Sequence, residues 1–84
     1  MNSIEWTTKA LRQARKLPPT EQGKIADAVA VLQDWPNVDQ VKALQGKPGY
    51  RLRVGRYRIL FTVHAGIPLI IRIEEVKKRD EHTY

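Results

Sequence analysis

The stretch from Tyr50 to Val63 reads Y-R-L-R-V-G-R-Y-R-I-L-F-T-V, with Arg51 and Arg53 two residues apart and Arg58 just beyond a Gly55-Arg56 turn. Alternate residues of a strand share a face. In a hairpin these three guanidinium groups therefore converge on the side away from Tyr50, Leu52, Ile59 and Phe61. Such a set suits phosphate, because guanidinium is planar, always charged, and donates in a fork that matches phosphate oxygens. A solvated sheet face is the simpler account of any single arginine. Three in register on neighbouring strands repel one another, and that cost favours a functional role. Between Asp39 and Glu74 there is no acid at all, whereas Lys42, Lys47, Arg51, Arg53, Arg56, Arg58 and Arg72 all fall there.

The chain ends K-K-R-D-E-H-T-Y, which places Lys78, Arg79, His82 and Tyr84 directly after the last apolar run. Histidine titrates near neutrality and is a natural acid or base, although a lone histidine in a tail is ordinarily solvated. A central strand leading into this tail could carry it alongside the arginines. Other chemistries fit poorly. Two histidines eighteen residues apart, with no cysteine, make a poor metal site. Glu74 and Glu75 are adjacent on a strand and are expected on opposite faces. No metal and no cofactor is expected, since phosphate-binding glycine loops are absent and the single serine, Ser3, lies at the chain end. His64 at a turn reads as structural or solvated, and Trp6 and Trp35 as core residues.

The elements that must position these residues follow from composition and period. The 84 residues, 42% hydrophobic and 29% charged, suit one folded domain over 1–84. Fifteen Lys and Arg against nine Asp and Glu, a net +6, point to a polyanionic partner. The absence of cysteine argues against a disulfide-stapled secreted scaffold. No signal-peptide pattern or membrane-length apolar run is present, so a cytoplasmic location and no membrane partner are expected. Ser3 to Thr7 alternates as a strand with Ile4 and Trp6 on one face. Thr7 or Thr8 can cap a helix carrying Ala10, Leu11, Ala14 and Leu17, which Pro18-Pro19 stops. A second helix from Thr20 carries Ile25, Ala28, Val29 and Leu32 and ends by Trp35. Pro36 to Gly49 reads as a loop, with Val41 and Leu44 tucked inward. The Tyr50–Val63 hairpin and a last strand beginning L-I-I-R-I complete a β-α-α-β-β-β order. The predicted fold is α+β, a helical hairpin packed on one face of a mainly antiparallel four-stranded sheet.

The segment K-A-L-Q-G-K-P-G-Y-R-L-R-V-G-R-Y-R-I-L-F, followed by I-R-I-E-E-V-K-K-R-D-E-H-T-Y, resembles the RelE/ParE superfamily of toxins from type II toxin-antitoxin pairs. The likeness spans essentially the whole chain and rests on the leucine-x-glycine step, the G-x-Y-R turn and the basic ending in tyrosine. It implies a choice between two activities. RelE-like members are metal-independent ribonucleases that cut messenger RNA in the ribosomal A site and so inhibit translation; ParE-like members share the fold, lack the catalytic set and act on DNA gyrase. Carried over residue by residue, the RelE basic pair falls on Arg51 and Arg53, the phosphate-binding arginine on Arg58, the arginine after the last strand on Arg79, and the terminal tyrosine on Tyr84. His82 adds to that set, which favours the ribonuclease. Arg58, Arg79, His82 and Tyr84 are then the catalytic candidates, with Arg51, Arg53, Arg56, Lys47 and Lys78 gripping RNA. RelE itself carries lysines at the pair, and an arginine cannot serve as a base. His82 is therefore the first candidate for acid or base, and Glu74 or Glu75 the next. The resemblance also implies a cognate antitoxin, the ribosome and messenger RNA as partners, and operator DNA reached through the antitoxin.

Overall fold

A computed structural model describes residues 2–78, so Arg79, His82 and Tyr84 lie outside the described residues. The elements run β1 (Ser3–Trp6), α1 (Thr8–Arg15), α2 (Pro19–Ala30), a 3-10 turn (Val31–Asp34), β2 (Val41–Ala43), β3 (Tyr50–Val54), β4 (Tyr57–His64) and β5 (Ile70–Lys78). The strands form one sheet in the order β1-β5-β4-β3-β2. All neighbours are antiparallel except β1 and β5, which run parallel. The α+β architecture is the predicted one, with one more strand than the sequence suggested. That strand, β2, is three residues long and has no periodicity of its own; its pairing with β3 defines it.

Thr7 starts α1 and ties it to the sheet. Its Oγ1 accepts from the Ala10 amide at 3.1 Å and donates to the Ile73 carbonyl at 2.9 Å. Gln22 of α2 donates to the Leu17 carbonyl at 2.6 Å, satisfying an acceptor just past the end of α1. Pro19 occupies the first turn of α2, where its missing amide costs nothing. The helices cover one sheet face, and Ala10, Ile25, Val29 and Leu32 pack there against Leu52, Ile59, Phe61, Ile71 and Ile73. Each large aliphatic or aromatic side chain buried this way contributes roughly 1.5–3 kcal/mol. Trp6 and Trp35 flank this core, and Trp35 sits edge-on to Tyr50 and Phe61 with ring centroids 4.6 and 5.5 Å apart.

An irregularity in β4–β5 pairing shapes the other face. Leu60 is opposite Glu75 while Phe61 is opposite Ile73, so Glu74 is the extra residue of a bulge. Ile73 and Val76 both stay in the core. Glu74 and Glu75 consequently share the open face, where Glu74 accepts from Thr62 and Glu75 is in register with Leu60. The expectation that they point apart assumed an unbroken period of two, which the bulge interrupts.

Candidate phosphate-binding groove

The open face is built from residues that alternate with the core. Arg53 and Arg58 are directly opposite across β3 and β4, and Lys42, Arg51, Leu60 and Glu75 form the next row across β2 to β5. Opposed side chains of this kind have Cβ atoms about 4.5–5.5 Å apart, and successive rows are separated by roughly 6.5 Å. Arg51, Arg53, Arg58 and Lys42 surround a groove of about 380 Å³, with Gln40, Val41, Gly55 and Tyr57 completing its walls. None of the lining residues is acidic. Among the described residues no ion pair engages Lys42, Arg51, Arg53 or Arg58.

Local backbone geometry holds the groove in shape. Gly55 adopts a φ of +57° at the β3–β4 turn, in the left-handed region that a glycine enters without penalty. Gln40 takes a φ of +64° just before β2, a conformation that costs a non-glycine residue of order 1 kcal/mol. Its carbonyl accepts the Arg53 amide at 2.9 Å, which extends the β2–β3 pairing by one residue beside the arginine. Gly49, with φ +114°, has no room for a side chain, since a Cβ would sit 3.0 Å from the Phe61 carbonyl oxygen.

Acidic groups enter on β5, outside the groove lining. Glu75 pairs with Lys9 of α1 at 3.1 Å and with Lys77 at 3.8 Å. Partial burial pushes its pKa up. The hydrogen bond from Lys9 and the charges of Lys77, Lys9 and Lys47 outweigh that, and the carboxyl is held below its ordinary value. A carboxylate so engaged is a poor proton acceptor, which weakens Glu75 as a base. Glu74 accepts from the Thr62 hydroxyl at 2.8 Å, and Thr62 lies 2.7 Å from His64 Nε2. With the Thr62 proton given to Glu74, His64 donates through Nε2. His64 is thus half-buried, with its ring against the Thr62 hydroxyl.

The structure brings Arg51, Arg53 and Arg58 together as the alternation predicts. Arg56 projects at the exposed turn tip, and Lys47 lies in the exposed loop close enough to influence Glu75. Lys78 is in register with Tyr57, whereas Lys77 is opposite Arg58 and continues the arginine row. Three residues were not singled out as site groups from sequence. Lys42 and Gln40 become neighbours of the arginines only through β2, whose pairing no local pattern signals. Lys77 required the register of β5, including its bulge. Among the described residues no group of three or more His, Asp or Glu side chains is placed to hold a metal ion. No described helix is long and apolar enough to cross a membrane.

No family model matches the chain, and no curated protein matches it in sequence. Solved structures do. The RelBE2 toxin-antitoxin complex of Mycobacterium tuberculosis contains a chain 25% identical to this one, with a TM-score of 0.79 over 93% of this chain and 98% of that one. The isolated RelE toxin of Escherichia coli is 19% identical, with a TM-score of 0.80 over 99% and 89% of the two chains. A YoeB/ParE toxin from Agrobacterium tumefaciens is 14% identical and superimposes with a TM-score of 0.75 over 93% and 99%.

Proposed function

We propose that this chain, which has the fold of the RelE/ParE superfamily toxins, is the toxin of a toxin-antitoxin pair and acts as a metal-independent, ribosome-dependent endoribonuclease on messenger RNA. The observation that carries the reading is the acid-free groove in which Arg51, Arg53 and Arg58 stand on adjacent strands of the open face. Cleavage by this route needs a proton removed from the RNA 2′-hydroxyl, added charge stabilised on the phosphoryl oxygens, and a proton delivered to the departing 5′-oxygen. Fixed cations in a preorganised site serve the second task, because no reorganisation is needed as charge develops. Arg58 takes it with Arg79, and Arg51 and Arg53 hold neighbouring phosphates. His82 is assigned to proton transfer at the leaving oxygen, and Tyr84 to stacking on a base or relaying a proton.

The antitoxin is proposed as a partner because chains of this fold occur in toxin-antitoxin complexes. A surface of suitable chemistry is present on α1, where Arg12, Arg15 and Lys16 flank the partly exposed Leu11 and Trp6. An acidic amphipathic segment would complement it.

The test is primer extension on an abundant message after brief induction in bacteria, with Arg58→Ala beside the wild type. New 5′ ends within the coding frame that vanish in the variant are expected. Growth arrest with intact messages would instead transfer the reading to inhibition of DNA gyrase, and the arginine face would become a docking surface.

A further inference from the structure

We propose that Lys42 is the proton acceptor of the groove, removing the 2′-hydroxyl proton as its neutral amine. The inference rests on the nuclease reading and supplies the base that reading lacks. The groove's other lining side chains offer little choice. Three are guanidinium groups, which keep their protons throughout the physiological range. Gln40 is an amide, Val41 and Gly55 carry no titratable group, and Tyr57 is buried and in register with Val54 on the helix side of the sheet. Lys42 is the one amine among these described lining residues.

Its placement suits the task. Lys42 is directly opposite Arg51, on the same face and about one strand spacing away, roughly 4.8 Å. From there the amine can reach the 2′-oxygen of a nucleotide whose phosphate the arginines hold. Two other lysines near this face, Lys9 and Lys77, are held by a carboxylate. Glu75 binds Lys9 at 3.1 Å and Lys77 at 3.8 Å. No described carboxylate pairs with Lys42. The strained Gln40 immediately upstream, anchored through the Arg53 amide, fixes the start of the short strand that carries Lys42.

In the proposed step the Lys42 nitrogen takes the proton from O2′ as the O2′–P bond forms. The P–O5′ bond breaks and the 5′-oxygen receives a proton from water. The products are a 2′,3′-cyclic phosphate and a 5′-hydroxyl, and the ammonium of Lys42 returns its proton to solvent.

A lysine on an edge strand has a simpler account, since its charge discourages pairing with another chain. Lys42→Arg separates the two roles because it keeps the charge and removes the usable proton acceptor. The measurement is single-turnover cleavage of messenger RNA on programmed ribosomes by the full chain, with binding of the same complexes measured in parallel. Lys42→Arg is expected to bind like the wild type and cleave at least about 100-fold more slowly, the usual worth of a positioned base. Lys42→Ala should be equally slow and regain rate with added ethylamine but not with guanidinium. Lys42→Arg cleaving within about threefold of wild type, far short of a general base's contribution, would overturn the proposal and leave the nuclease reading standing. A wild-type chain that binds ribosomes without cutting would overturn the nuclease reading itself.

Discussion

The two faces of one sheet divide the labour of this molecule. On the helix side Ile59, Phe61, Ile71 and Ile73 are almost wholly buried. On the other side Arg53 and Arg58 oppose each other in solvent, with no described counter-charge. Residues one position apart on β4 therefore answer to different demands. The helix side gains free energy from the apolar atoms it removes from water, while the open side carries mutual repulsion that a bound polyanion would relieve. An assay of stability and an assay of RNA binding should respond to opposite faces.

The largest expected effect lies on the core face. Phe61 stacks on Tyr50 at 5.6 Å and meets Trp35 edge-on, so Phe61→Ala should cost about 3–5 kcal/mol in urea unfolding. For a chain of this size that approaches the whole of a typical stability. Arg53→Ala, on the open face, sharpens the contrast. Unfolding should change by less than about 0.5 kcal/mol, because an exposed cation facing Arg58 is lost and no packing with it. RNA affinity should fall, and the slope of log K against log salt should become shallower by about one. A comparable loss of stability in both variants would break the division.

A far smaller stability effect than at Phe61 is expected at Glu75, which pairs with Lys9 of α1. A carboxyl whose pKa is depressed in the folded state stabilises the fold above its ordinary pKa of about 4.3. That contribution is lost as pH falls through the lower, folded value. Glu75→Gln should therefore be less stable than wild type at pH 7, by under about 1 kcal/mol for so exposed a set of partners. The two proteins should converge in acid, and urea midpoints at pH 7 and at about pH 3 measure the difference.

Much of this arrangement was visible in the amino-acid order, for identifiable reasons. The hairpin announces itself through alternation from Tyr50 to Val63, and the missing acids between Asp39 and Glu74 mark the cationic face. Both signals are local. β2 was not visible, because three residues without periodicity become a strand only when β3 lies beside them. The common face of Glu74 and Glu75 was hidden for a related reason, since a bulge is a property of two paired strands. Leu60 shows the same limit. Alternation assigns it to the polar side, where it is in fact buried, in register with Arg51 and Glu75.

The way α1 meets β5 has a consequence for solubility. β5 runs nine residues, but β1 covers it only from Ile70 to Ile73. Beyond that point the strand would offer a bare edge, the kind of template on which chains recruit one another into aggregates. Gln13 accepts the Val76 amide at 2.7 Å, and Thr7 donates to the carbonyl of Ile73 and approaches that of Glu74. Two side chains thus stand in for a missing neighbour strand. A chain of net charge +6 is thereby denied a route to pairing with a second copy of itself through β5.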